Sequence, residues 1–77
     1  MNPYQLLANA IIAQAALDYR EVLLAWSKDT ANVNIIIEKK DLEEFFLSGW
    51  FGVLSDLNGE VLMKDIQIYT LGKAAAV

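Results

Sequence analysis

The side chains that could do chemistry in this 77-residue chain are few: ten carboxylates, six Lys or Arg, and neither His nor Cys. Without imidazole or thiolate, Ser-His-Asp and Cys-His nucleophile systems cannot be assembled within one chain. Disulfides are excluded, and so is a zinc site built on those ligands. Paired carboxylates are the remaining catalytic resource. Asp41, Glu43 and Glu44 cluster where a helix could begin. There the positive end of the helix dipole favours acidic residues, which accounts for them better than acid–base catalysis does. Asp56-Leu57-Asn58-Gly59-Glu60 briefly has the look of a calcium loop. Such a loop needs Gly at its sixth position and a bidentate Glu at its twelfth; here Gly is fourth and the twelfth residue is Gln67. Gly49-Trp50-Phe51-Gly52 spells a phosphate-clamping GxxG loop, but its centre is bulky and apolar and no basic residue adjoins it. No catalytic residue, metal ligand or cofactor site is assigned, and the chain reads as a non-enzyme.

The elements that would carry these residues are mostly helical. Residues 2–27 read as one long helix, with Asn2 as N-cap and Pro3 at the first helical position, where its missing N–H costs nothing. At 100° per residue Tyr4, Ala8, Ile11, Ile12, Ala15, Tyr19, Val22 and Trp26 share one apolar stripe, while Leu6, Ala10, Ala13, Leu17 and Leu24 make a second. A surface helix needs one apolar face; a helix with two must be buried from two sides. The Ala positions would let another backbone approach closely.

Residues 28–34 read as a loop because turn formers cluster there. Ile35-Ile36-Ile37 has strand propensity, yet a lone strand cannot satisfy its own ladder, and an early turn of the second helix is the better reading. That helix is expected to begin near Asn34 or at Asp41 and to run to about Leu57. Leu42, Phe46, Trp50, Val53, Leu54 and Leu57 would form its apolar face, and Ser48, Gly49, Gly52 and Ser55 another side. Two glycines cost about 1 kcal/mol each relative to Ala, which suggests close packing at that side or a weak point. Phe51 stands off the main face, as an edge contact with the first helix or as an interface anchor. Asn58-Gly59 reads as a helix stop, with Gly in the left-handed conformation. Residues 60–69 fit a short third helix, although the alternation Ile66-Gln67-Ile68 allows a strand across 66–71. The segment 71–77 has only small residues to anchor it and is expected to fray. The fold class is therefore all-α: one domain over residues 1–77 with a long, a medium and a short helix.

Self-association is the expected staple for so small a scaffold. The hydrophobic share is 56%, above the roughly 45–50% of average domains, so another chain is expected to cover part of the apolar surface. The interface candidates are Leu6, Ala10, Ala13, Leu17, Leu24 and Phe51, and the expected partner is a second copy of the chain, with a host or foreign protein as the alternative. The net charge of −4 falls entirely in residues 29–77. With Lys39-Lys40 the one adjacent cationic pair, direct nucleic-acid binding is disfavoured, as is an anionic membrane surface. The apolar run at residues 6–17 ends at Asp18, short of the ~20 residues a span requires. No basic leader precedes it. A cytoplasmic setting is expected.

Asn9-Ala10-Ile11-Ile12, Asp18-Tyr19-Arg20, Glu44-Phe45-Phe46, Ser48-Gly49-Trp50-Phe51, Leu54, Asn58-Gly59-Glu60 and Leu62 together resemble a group of small uncharacterised proteins encoded in prophages and other mobile elements of Gram-positive bacteria. The resemblance spans residues 9–69. It departs at Leu47, where the group commonly has a basic residue, and in the neutral-to-acidic linker after the first helix. It implies a setting and no activity. Two functions are carried forward: a non-enzymatic interaction protein that self-associates through its first helix, and an acidic regulator that occupies a basic DNA-binding or replication protein.

Overall fold

The computed structural model describes residues 2–75, the side chains of 73–75 excepted. Its elements are α1 (Pro3–Lys28), α2 (Val33–Leu47), α3 (Gly49–Leu54) and α4 (Gly59–Ala75). The described residues are thus mostly helical, in four helices where three are expected. Both ambiguous segments, 35–37 and 66–71, are helix, and no strand occurs among the described residues. The tail expected over 71–77 is helical as far as Ala75; residues 76 and 77 lie outside the described residues.

α1 starts as its sequence dictates. The Asn2 side chain accepts from the backbone N–H of Gln5 at 2.7 Å, with Pro3 next in line. α2 begins at Val33, earlier than the acidic cluster: Asn32 Oδ1 accepts from the N–H groups of Asn34 (3.0 Å) and Ile35 (3.3 Å). Asp41, Glu43 and Glu44 therefore lie inside the helix, more than two turns from the positive end of its dipole, and the dipole account of them does not hold.

The expected second helix breaks at Ser48. That residue is extended, with φ −76° and ψ 156°. Its hydroxyl donates to the Phe45 carbonyl at 2.7 Å and accepts from the Phe51 N–H at 3.3 Å, so one side chain ends α2 and caps α3. Serine competes with the helical backbone for these bonds. The break resets the rotational phase. Phe51 turns into the core (1% exposed), while Trp50 and Val53, expected on the buried face, turn outward. Leu57 is exposed as well.

Asn58-Gly59 is a start and not a stop. Asn58 Oδ1 accepts from the Val61 N–H at 3.2 Å, and the Asn58 carbonyl accepts from Leu62 at 3.0 Å. No glycine among the described residues has positive φ. Gly59 is required for a different reason: a Cβ there would overlap the Phe46 carbonyl oxygen and sit 3.0 Å from Phe51 Cδ1. Gly49 and Gly52 have nothing within 4 Å of such an atom, so the close packing expected at their side is absent.

The core is made of Ile12, Tyr19, Val22 and Leu23 of α1, Phe46 of α2, Phe51 of α3 and Met63 of α4. Tyr19, Phe45, Phe46 and Phe51 form a ring cluster with centroid separations of 5.5–5.8 Å. Fully burying one such side chain contributes about 1.5–3 kcal/mol. Most of these contacts meet the C-terminal half of α1. A 26-residue helix is ~39 Å long, and the molecule measures 40 × 26 × 17 Å. Its radius of gyration, 13.3 Å, exceeds the roughly 11.5 Å of a compact domain of this length. One helix runs the length of the molecule.

Gly59→Ala should lower the urea-unfolding free energy by about 2 kcal/mol or more, since backbone and an enclosed ring must both shift. Gly52→Ala, in open space within a helix, should instead raise it by up to ~1 kcal/mol. Equal responses at the two positions would contradict this placement of Gly59.

Candidate functional site

Two features distinguish the surroundings of α1: an enclosed polar cluster on its inner face and an open apolar groove on its outer flank.

The cluster begins with Tyr19, which is 0% exposed. A buried phenol needs partners for its hydroxyl. The Tyr19 hydroxyl donates to Glu43 Oε2 at 2.7 Å and accepts from Gln67 Nε2 at 2.6 Å. Lys39 Nζ lies 2.8 Å from the same carboxylate oxygen and 5.0 Å from the centre of the Trp26 ring. The four polar side chains tie α1, α2 and α4 together. Burial pushes the Tyr19 phenol well above its ordinary pKa, and the hydrogen bond to Glu43 pushes the same way. Burial alone would raise the Glu43 carboxyl too. The hydrogen bonds from Lys39 and Tyr19 and the Lys39 charge outweigh it, and Glu43 titrates below its ordinary value. With the phenol sealed and both its hydrogen bonds taken, this cluster is a clamp between helices. Of the three carboxylates read as a cluster in the sequence, only Glu43 turns inward; Asp41 and Glu44 are exposed. No group of three or more Asp or Glu among the described residues is placed to hold a metal ion.

The groove lies between α1 and α4, with a volume near 810 Å³. Ala13, Ala16, Leu17 and Arg20 line the α1 wall; Asp65, Ile66, Ile68, Tyr69 and Thr70 line the α4 wall. The interface candidates divide here. Leu6 (56% exposed) and Leu17 (54%), with Ala10 and Ala13, remain exposed along one flank of α1. Ala13 and Leu17 join the groove, and Leu24, further along the helix, is half-buried. Phe51 is withdrawn from the set: enclosed by Phe45 and Phe46, it has no surface to offer a partner. Arg20 and the residues of the α4 wall are not among the interface candidates that the sequence offers. The strand alternative for Ile66-Gln67-Ile68 hid the seven-residue spacing of Val61 and Ile68, which places both on the outer face of a helix. A shallower apolar patch joins the start of α1 to α3, through Tyr4, Leu7, Ile11, Trp50 and Val53.

Thr70 lies beneath the groove, 5% exposed, and its hydroxyl has no hydrogen-bond partner among the described residues. No described helix is long and apolar enough to cross a membrane. Comparison with protein-family models, with curated proteins and with solved structures returned no match.

Two outcomes test this geometry. Thr70→Val removes an unsatisfied buried hydroxyl and should stabilise the fold by about 1 kcal/mol in urea titration; a loss of stability would show that the hydroxyl is bonded. For the clamp, the Glu43 contribution is present above pH 4.5, its ordinary value, and is lost as pH falls through the lower folded value. The Tyr19 contribution is present below pH 10.0 and is lost as pH rises toward the higher folded value. Unfolding free energy should therefore fall at both ends of a pH series, and Tyr19→Phe should remove the alkaline limb. An alkaline limb unchanged in Tyr19→Phe would contradict the assignment.

Proposed function

We propose that this chain is a non-enzymatic interaction protein that self-associates through the outer flank of α1. The observation that supports this reading is the flank itself. Leu6, Ala10, Ala13 and Leu17 follow one another along the helix and stay exposed after the chain has folded. Contiguous apolar surface of this kind marks interaction sites in small domains. The clamp around Tyr19 supports the non-enzymatic half of the reading, because the best-positioned ionisable groups are occupied in holding helices together. The resemblance to prophage and mobile-element proteins would place the chain in a bacterium and names no partner; a cytoplasmic setting is proposed with it.

A second reading, an acidic regulator of a basic DNA-binding or replication protein, has the exposed Glu38, Asp41 and Glu44 of α2 in its favour. It requires binding that weakens as salt rises.

Light scattering across a concentration series tests the first reading. The wild-type mass should rise with concentration. Leu17→Glu, at an exposed position, should weaken association at least tenfold while the circular-dichroism helicity is retained. A wild-type mass that stays monomeric at every concentration would overturn the proposal.

A further inference from the structure

We infer that the α1/α4 groove is occupied by the same groove of a second copy, about a twofold axis running along the helices, so that each α1 wall receives the partner's α4 wall. This rests on the self-association reading and specifies its geometry.

The two walls are unlike, and each is the complement of the other. The α1 wall is low at Ala13 and Ala16, rises at Leu17 beside them, and carries the cation Arg20. The α4 wall projects Ile68 (71% exposed) and Tyr69 and carries the carboxylate Asp65. Laying α4 on α4 would set bulky side chains against bulky side chains. Laying α1 on α4 seats Ile68 and Tyr69 over the small residues of the partner. A twofold axis makes that contact twice, since in an isologous interface residue i meets j and j meets i. Charge selects the same arrangement. Arg20 and Asp65 stand on opposite walls of one groove, both exposed, and neither has an ion-pair partner among the described residues. In the paired grooves Arg20 faces the partner's Asp65, and the reciprocal contact forms beside it.

The surface area fits one such partner. The chain exposes 5469 Å². A folded monomer of its mass is expected to expose roughly 4,700 Å². The surplus, roughly 800 Å² over the whole elongated molecule, is of the order that one partner contributes to a standard interface of about 1,600 Å². A small ligand in the groove would leave Leu6 and Ala10, further along the same flank, in water.

Charge reversal tests the arrangement. Arg20→Asp alone places carboxylates opposite each other at both twofold-related contacts, and Asp65→Arg alone places cations there. Each single variant should dimerise at least tenfold more weakly than wild type by sedimentation. Mixed in equal amounts, the two should recover a dimer, because every Arg20→Asp chain then meets the complementary charge. The double variant Arg20→Asp/Asp65→Arg should recover a homodimer by itself, and folding of each variant is checked by helicity. If Leu17→Glu yields monomers while both single reversals dimerise as wild type does, self-association stands and this arrangement falls. If the singles weaken but neither the mixture nor the double variant recovers, the Arg20–Asp65 pairing falls. A monomeric wild type overturns both.

Discussion

The length of α1 relative to everything else is the constraint from which the rest follows. A rod of 26 residues runs the length of the molecule, and α2, α3 and α4 are each shorter than it. They gather on Tyr19, Val22 and Leu23 near its C-terminal half, where the aromatic cluster forms. Toward its N-terminus, Ala8 and Ile12 are buried, while Tyr4, Leu6 and Leu7 keep much of their surface in water, as does Leu17 past its midpoint. A small domain has little stability to spare. A second chain on α1 would remove the exposed strip from water.

Within the covered half, two local devices decide which side chains are inside. Ser48 interrupts what would otherwise be one helix, and the interruption brings Phe51 to Phe46 and leaves Gly59 free to rest on the Phe46 carbonyl. The second device is polar. Tyr19, Glu43 and Gln67 come from three different helices and meet at one hydroxyl, with Lys39 balancing the carboxylate. Apolar packing alone tolerates many arrangements, whereas a buried hydrogen-bonded set is satisfied in few. The cluster fixes the rotation of α4 about its axis, and with it the wall that Ile68 and Tyr69 present to the groove.

The sequence was most legible where one residue decides one thing. Asn2-Pro3 opens α1, and the helical period puts Ala8, Ile12, Tyr19 and Val22 of the first stripe inside, although Tyr4 and Ile11 of that stripe are exposed and the fully buried Leu23 belongs to neither stripe. It was least legible where a side chain competes with the backbone or where two elements meet. Ser48 looked like one polar residue on a helix side; its double hydrogen bond depends on the chain turning at that point, which periodicity cannot register. That single miss displaced Phe51, Trp50, Val53 and Leu57 together. Asn58-Gly59 has the composition of either end of a helix, and only the ending of α3 at Leu54 makes it a beginning. The groove was half legible. Its α1 wall is the second stripe, while its α4 wall and the Arg20–Asp65 opposition appear only when the two helices are set side by side.

The central claim is that the open flank of α1 is covered by another molecule of the same chain. Isotope-filtered nuclear Overhauser spectroscopy on an equal mixture of labelled and unlabelled protein reads that contact directly. The account predicts cross-peaks between the methyl groups of Leu17 in one molecule and the Ile68 and Tyr69 side chains of another. Leu17 methyls that show contacts only within their own chain, at concentrations up to the millimolar range, would contradict it.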